Sequence, residues 1–200
     1  VIMNDEFIER LLGFDKLCHH LHLSLQSGSD KILKLMNRHY TTAQYQGIVD
    51  RIREKWEDVA FTTDIIVGFP GETEEDFNAT LEFVQKIGFS RIHVFRFSPK
   101  RGTKAYEMPN QVDSKEKERR SKIMKEVAAN LAYQFHKKFV GNWLEVLIEQ
   151  DSDFDGYYEG YSGNYIRTLV RKSHMIVPGE IYKVKITQAY EQYVKGEIIQ

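Results

Sequence analysis

The sequence is poor in cysteine and contains no long apolar run. Its 200 residues include a single cysteine, Cys18, which excludes an internal disulfide and an all-cysteine metal site. We find no secretory signal, transmembrane run or low-complexity tract, and therefore expect a cytoplasmic protein with no membrane partner. The 28 Lys and Arg residues nearly balance the 29 Asp and Glu residues, so the overall charge predicts no strong attraction to nucleic acid or membranes.

Residues 22–30 and 62–73 each have the pattern of a strand that runs through a glycine-containing turn into a helix. In the first segment leucines alternate with polar residues, which therefore share one face of the strand. In the second, Asp64 interrupts an apolar, β-branched run, and a buried carboxylate is costly unless polar groups face it. These polar faces predict a ligand-lined cavity near the carboxyl ends of parallel strands.

A third strand is predicted over residues 91–97, and helical patterns separate the three strands. Strands that alternate with helices favour a βαβ arrangement. Three units are too few to close an eight-stranded barrel, so the fold is either a small open sheet or half of a larger barrel. The chain begins at Val1, and its first helix, which Asn4 or Asp5 would cap, follows no strand. We therefore expect the second half of a longer barrel.

The pattern changes after residue 112. Residues 113–140 predict one long helix, and residues 141–200 contain only strand signals separated by turn residues. Five short strands in this tail are typical of a small antiparallel barrel. We therefore predict two domains, residues 1–140 with the long linking helix and residues 141–200.

Three ordered motifs carry a resemblance to a known family. Residues 22–38, 64–73 and 97–105 resemble the second half of the radical S-adenosylmethionine (SAM) barrel of the tRNA methylthiotransferases. Residues 160–166 resemble part of the TRAM domain that follows this barrel. The resemblance spans essentially the whole chain. It implies an α/β fold, the carboxyl-terminal half of a partial TIM-like (β/α) radical SAM barrel followed by a small antiparallel β-barrel.

The resemblance also implies a function. The Leu-Gln-Ser-Gly form of residues 25–28 is closest to the branch that adds a methylthio group to C2 of N6-threonylcarbamoyladenosine, an anticodon-loop adenosine of tRNA. The isopentenyladenosine branch is a near neighbour. The ribosomal-protein branch fits less well, because it typically has His where Ser27 stands. A noncatalytic RNA- or protein-interaction module, with the half-barrel as a scaffold, is a further alternative.

The cofactors implied by the resemblance are SAM and two [4Fe-4S] clusters in the full-length protein. Family members hold one cluster through a C-x3-C-x2-C loop, which this sequence lacks. Because iron–sulfur clusters need several thiolates, Cys18 cannot hold one, and we expect it to have a packing role. The sequence therefore predicts no catalytic residue and no metal ligand in this fragment, which should be inactive alone.

By resemblance to the coproporphyrinogen-oxidizing branch of the radical SAM class, three residues match cofactor-binding positions: Gln26, Arg38 and Asp64. An Arg can bind the methionine carboxylate, while Gln and Asp can bind amino or hydroxyl groups. Ser27 is a weaker candidate. Gly68, in the Gly-Phe-Pro-Gly turn, would let the backbone approach the adenine closely.

Each assignment has a structural alternative. Arg38 follows a short helix and could be a solvated carboxyl-terminal cation. Asp64 could instead hold a neighbouring loop through hydrogen bonds. Gln26 and Ser27 could merely complete the turn after their strand.

Basic residues in two places are candidate contacts for RNA. They are Arg101 and Lys104 near the barrel mouth, and Arg167, Arg171 and Lys172 in the tail. Residues 141–200 nevertheless contain six Lys and Arg against nine Asp and Glu, the opposite of the balance that phosphate binding favours. Tail tyrosines are as compatible with a barrel core as with a platform for base stacking.

A half-barrel leaves the strand around residues 21–25 without its upstream neighbour. An exposed strand edge invites pairing with another chain. We therefore expect the fragment to self-associate through this edge, or to cover it with its own amino-terminal segment. The same opening should expose leucine and valine side chains.

Overall fold

The computed structural model describes residues 4–198 and contains two packed units. The first unit has helices α1 (Asp5–Leu12), α2 (Asp30–Leu35), α3 (Thr42–Lys55), α4 (Glu74–Ile87) and α5 (Lys104–Glu107) and strands β1 (His20–His22), β2 (Ala60–Val67) and β3 (Arg91–Arg96). The long helix α6 (Ser114–Lys137) leads to strands β4 (Trp143–Asp151), β5 (Tyr157–Ser162), β6 (Arg167–Arg171), β7 (Ile181–Ala189) and β8 (Val194–Glu197). Val1 and the last two residues of the predicted tail, 199–200, lie outside the described residues.

Strands β1, β2 and β3 form a parallel sheet in sequence order, as the alternation of strands and helices predicts. One face of this sheet carries Leu25, Phe61 and Ile65, which are fully buried. Apolar residues of α3, α4 and α6 pack in the same core cluster. Because residues paired between parallel strands point to the same side, the opposite face carries the polar positions of all three strands.

The opposite face is open, and it differs from one expectation. Leu21 of β1, and Leu23 and Leu25 that follow it, lie on the helix-covered face, so the prediction that the half-barrel exposes leucine and valine is wrong for this segment. The open face instead presents His22 and Asp64, with Phe95 half exposed on β3. Burying the apolar side under helices leaves the polar side uncovered.

The helix starts follow their capping residues. Thr73 and Asp76 form a capping box at the start of α4, which ends at Gly88 in the left-handed conformation (φ 66°). Asn4 caps α1, as expected. Thr41 caps α3 and forms a second capping box with Gln44.

The carboxyl-terminal strands close into a barrel in the order β4-β5-β6-β8-β7. Four of the five pairings are antiparallel, as expected for this small barrel, and β6 and β8 pair in parallel. The reason is geometric, because strand direction cannot alternate all the way around a ring of five strands.

Helix α6 connects the two units. The Nδ1 atom of His136 lies 2.6 Å from the carbonyl oxygen of Tyr190, and Phe135 packs into the barrel core. A further contact joins the units directly: the Asn164 side-chain amide of the barrel donates a hydrogen bond to the carbonyl of Asp58 in the first unit (3.1 Å). The division at residues 140 and 141 stays a prediction.

The outer edge of β1 is unpaired within residues 4–198. Helix α1 packs against α3, with Ile8 fully buried, and does not provide a strand beside β1. Self-association through this edge stays a prediction. In the described part of the chain, no helix is both long enough and apolar enough to cross a bilayer.

Asp76 provides a test of the fold. Burial alone would raise its pKa, but hydrogen bonds from Lys31, Thr73 and Ser29 hold the pKa at about 2. A carboxyl group whose pKa is lowered by folding stabilises the protein above its unfolded pKa of 3.8 and loses this contribution as pH falls toward 2. We expect Asp76→Asn to reduce the free energy of unfolding by about 1 to 2 kcal/mol at pH 7.

Urea denaturation at several pH values measures this effect, and the gap between wild type and variant should shrink as pH falls from 4 to 2. Glu82→Gln, on an exposed position of the same helix, is the control and should not change stability. A gap that is independent of pH would contradict the assignment.

Candidate functional site

The open face of the sheet carries a connected polar network. Asp64 accepts a hydrogen bond from the Ser24 hydroxyl at 3.0 Å through its Oδ2 atom, which also lies 3.2 Å from Nε2 of His22. The Thr62 hydroxyl lies 3.0 Å from Nδ1 of His22 and 3.1 Å from Nε2 of His20. Asp64 is therefore faced by polar groups, as its position inside an apolar strand requires. Within the described residues its Oδ1 atom accepts no hydrogen bond, so it is free to bind a ligand.

Gln26 lies next to Asp64, at the carboxyl end of the first strand segment. Its backbone N–H donates to the carbonyl of Asp64 (2.8 Å), and it forms a parallel bridge with Ile65. Its φ of 69° is in the left-handed region, which is strained for glutamine. The residue is 7% exposed, and its side-chain amide makes no hydrogen bond within residues 4–198. The structure thus brings the backbones of Gln26 and Asp64 together, while contact of the Gln26 amide with a cofactor stays a prediction.

Arg38 lies near this pair without touching it. The Tyr40 hydroxyl donates to the carbonyls of Ser24 and Leu25, both at 3.0 Å, and so lies beside the polar network. Burial raises the pKa of Tyr40, and the positive charge of Arg38 opposes this rise, which places the guanidinium close by. Arg38 itself is exposed, and among the described residues it forms no ion pair or hydrogen bond with Asp64.

Ser27 and Gly68 have structural roles that are visible. The Ser27 hydroxyl lies 3.3 Å from that of Thr80 and accepts a hydrogen bond from the Ser29 N–H (3.2 Å), which ties the turn to α4. Gly68 has a φ of 73°, and a Cβ atom there would lie 2.4 Å from Cγ of Lys117. Close packing with α6 therefore explains the glycine. Contact of either residue with a cofactor stays a prediction.

A buried ion pair beneath the Gly68 turn was not predicted from sequence. The Glu72 carboxylate (Oε1) accepts hydrogen bonds from the Gly68 N–H at 2.8 Å and from Nη1 of Arg120 at 2.6 Å. Both side chains are buried, at 2% and 6% exposed. Burial raises the pKa of Glu72, while the Gly68 N–H and Arg120 oppose this rise. A glutamate after Gly-Phe-Pro-Gly was the only sequence signal of this pair.

The basic residues of the barrel fall into two groups. Arg167 is paired with Glu159 and lies 3.4 Å from Asp153, and Lys172 lies 2.8 Å from Asp151. Their charges are therefore largely compensated by neighbouring carboxylates.

Arg171 has no carboxylate partner in the described part of the chain, and neither does Lys195, which was not predicted. Both cations lie over the ring of Tyr157, at 5.9 and 4.7 Å from its centroid. They line a groove of about 920 Å³ that Lys172 and Tyr182 also border. Cations beside an aromatic ring suit binding of single-stranded nucleic acid. In the first unit, Arg101 and Lys104, which follow β3, are exposed.

Three stacked rings connect the polar face to the barrel. His20 stacks on Tyr165 with a centroid distance of 4.7 Å, and Tyr165 stacks on Tyr161 at 4.8 Å. Tyr165 has a φ of 63°, which is strained for an aromatic residue. Burial, and next the charge of His22, lower the pKa of His20, which favours the neutral form of the ring. The carboxyl-terminal barrel thus contacts the amino-terminal end of the polar face.

The described residues do not fit an iron–sulfur cluster. Cys18 is exposed, which does not agree with the packing role expected for it. Within residues 4–198, no group of three or more His, Cys, Asp or Glu side chains is arranged to hold a metal ion. Any cluster would need thiolates other than those described here.

Comparison with protein families identifies the class. Residues 1–84 match the Radical SAM superfamily, and residues 137–199 match the TRAM domain. The chain therefore contains a radical SAM region followed by a TRAM domain, and the predicted α/β half-barrel followed by a small β-barrel is confirmed.

Its relatives are named as tRNA methylthiotransferases. The threonylcarbamoyladenosine tRNA methylthiotransferase MtaB of Thermotoga maritima is 39% identical over 96% of this chain and 43% of its own length. The tRNA-2-methylthio-N(6)-dimethylallyladenosine synthase of Caldicellulosiruptor saccharolyticus is 39% identical over 98% of this chain and 42% of its own length. A probable threonylcarbamoyladenosine tRNA methylthiotransferase of Methanocaldococcus jannaschii is 42% identical over 98% of this chain and 43% of its own length. The chain thus spans less than half the length of these relatives.

Two solved structures share the fold. Escherichia coli coproporphyrinogen III oxidase (HemN), described as a radical SAM enzyme, matches with a TM-score of 0.54 and 20% identity, over 66% of this chain and 30% of that one. Methanocaldococcus infernus Elp3 with an amino-terminal deletion matches with a TM-score of 0.50 and 12% identity, over 85% of this chain and 58% of that one.

Proposed function

We propose that the full-length protein is a radical SAM enzyme that methylthiolates C2 of N6-threonylcarbamoyladenosine in the anticodon loop of tRNA. The observation that carries this proposal is the open polar face around Asp64, in a chain whose relatives are named tRNA methylthiotransferases. Identity alone does not choose the nucleoside, because relatives of both kinds are about equally similar. The Leu-Gln-Ser-Gly form of residues 25–28 favours the threonylcarbamoyl substrate. A tRNA substrate is consistent with the cytoplasmic location that the sequence predicts.

Three residues of this chain would bind SAM. The free oxygen of Asp64 suits a ribose hydroxyl or an amino group, and the unpartnered amide of Gln26 suits either a donor or an acceptor. The guanidinium of Arg38, exposed beside Tyr40, suits the methionine carboxylate. Ser24 and His22 orient the Asp64 carboxylate through its other oxygen. When bound, SAM would supply the radical chemistry and a methyl group, with two [4Fe-4S] clusters held by cysteines that this chain lacks.

The second candidate substrate is isopentenyladenosine in tRNA. The relative from Caldicellulosiruptor saccharolyticus, named a dimethylallyladenosine synthase, supports it at 39% identity. The two substrates differ chemically, because threonylcarbamoyl carries a carboxylate and isopentenyl is uncharged.

An activity assay on the two modified tRNAs decides between them. We expect the full-length protein, reconstituted with iron and sulfide without oxygen and supplied with SAM and a chemical reductant, to methylthiolate tRNA with threonylcarbamoyladenosine at least about tenfold faster than tRNA with isopentenyladenosine, a difference of about 1.4 kcal/mol. Mass spectrometry of the digested nucleosides measures the product. A preference for isopentenyladenosine would favour the second candidate, and modification of neither would support a noncatalytic role.

The cofactor residues are tested by binding. We expect Arg38→Ala and Asp64→Asn each to weaken SAM binding to the full-length protein by about 1.5 to 3 kcal/mol, the range for hydrogen bonds to charged groups. Isothermal calorimetry measures the dissociation constant. Lys34→Ala, on an exposed position of α2, is the matched control for lost surface charge. Binding that is unchanged in Arg38→Ala and Asp64→Asn would refute these two assignments.

The barrel groove is the proposed tRNA contact. We expect Arg171→Gln and Lys195→Gln each to weaken tRNA binding and to lower the slope of log affinity against log salt by about 1. Filter binding across a salt series measures both quantities. Lys183→Gln, which removes an exposed charge on β7 outside the groove, should leave the slope unchanged. Equal effects of all three variants would mean that total charge, rather than this groove, binds the tRNA.

A further inference from the structure

The turn after β2 is held from below by α6. The Gly68 N–H donates to Glu72, and Arg120 donates both to the Glu72 carboxylate (2.6 Å) and to its carbonyl oxygen (3.1 Å). Glu116 accepts from Nε of Arg120 at 2.8 Å and so fixes the orientation of the guanidinium. The stem of Lys117 fills the space beside the Gly68 Cα atom. One turn of α6 therefore fixes both ends of the turn, residues 68 to 72.

Stability alone does not require a buried ion pair at this position. Removing two charges from water costs free energy, and apolar residues of similar volume often stabilise a protein as well as a buried ion pair does. A buried pair does give a fixed geometry, because both partners must keep their hydrogen bonds. The geometry fixed here is that of the Gly68 amide, at the carboxyl end of the strand that carries Asp64.

We propose that Arg120 is a positioning residue of the SAM site, acting through Glu72 to hold the Gly68 turn against the carboxyl end of β2. The inference rests on the proposed function, because it takes the face around Asp64 as the SAM-binding face. Arg120 touches neither Asp64 nor Gln26. Its effect passes through two hydrogen bonds to the Glu72 carboxylate, one that Arg120 donates and one that the Gly68 N–H donates.

Arg119 offers a matched control. It is adjacent to Arg120 and pairs with Glu116 and Glu74, but it is 45% exposed and does not contact Glu72. Replacing either arginine by methionine removes one charge from the same helix turn. Only Arg120→Met breaks the link to Gly68.

The experiment compares Arg120→Met, Arg120→Lys and Arg119→Met in the full-length protein. We expect Arg120→Met to speed hydrogen exchange of the Gly68 amide and to raise the KM for SAM, each about tenfold, with kcat changed less than about threefold. Arg120→Lys should give intermediate values, because lysine keeps the charge but not the branched donor. Arg119→Met should match wild type in both measurements.

Unchanged Gly68 exchange and unchanged KM in a folded Arg120→Met protein would overturn the proposal. If Arg120→Met does not fold, Glu72→Gln replaces it, since that variant keeps an oxygen for the Gly68 N–H but removes the charge that Arg120 holds. We expect Glu72→Gln to raise the exchange rate of the Gly68 amide and the KM for SAM about threefold. If neither quantity changes, the proposal is overturned. If wild type fails to bind SAM, the proposed function fails, while the exchange data still show whether Arg120 fixes the turn.

Discussion

A carboxylate in the middle strand of a parallel sheet is the constraint on which the rest of the structure depends. Asp64 lies in β2 between Thr63 and Ile65, and an ionised group there is stable only where polar groups or solvent face it. The sheet meets this need by separating its faces: helices cover the apolar side, and hydroxyl and imidazole groups occupy the other. A barrel completed by further strands would enclose this polar face. Within residues 4–198 one oxygen of the Asp64 carboxylate accepts no hydrogen bond, so an enclosed ligand would find a polar partner there.

Helix α6 links the sheet that carries Asp64 to the carboxyl-terminal barrel. At its start, Arg120 holds Glu72 beneath the turn after β2. At its end, Phe135 lies in the barrel core, and His136 lies 2.6 Å from a barrel carbonyl. A single rigid helix therefore sets the position of the proposed RNA-binding barrel relative to the proposed cofactor face. The stack of His20 on Tyr165 is a second contact between the two units.

Features that depend on local pattern were predictable from the sequence. The alternation of leucine with polar residues gave the two faces of β1, and Thr73 with Asp76 gave the start of α4. The five barrel strands were found because turn residues separate them, but the parallel pairing of β6 with β8 follows from closure of the ring. The ion pair of Glu72 and Arg120 joins residues 48 positions apart, and no local pattern marks such a contact. The ion pair of Arg167 with Glu159 could likewise not be predicted, because a sequence shows which residues are charged but not how far apart they lie.

The most direct test of the central claim is a crystal structure of the full-length protein with SAM bound. The account predicts that polar atoms of SAM lie within hydrogen-bond distance of the Asp64 carboxylate and the Gln26 amide, on the face that the helices leave open. SAM bound elsewhere, or apolar side chains packed over this face, would contradict it.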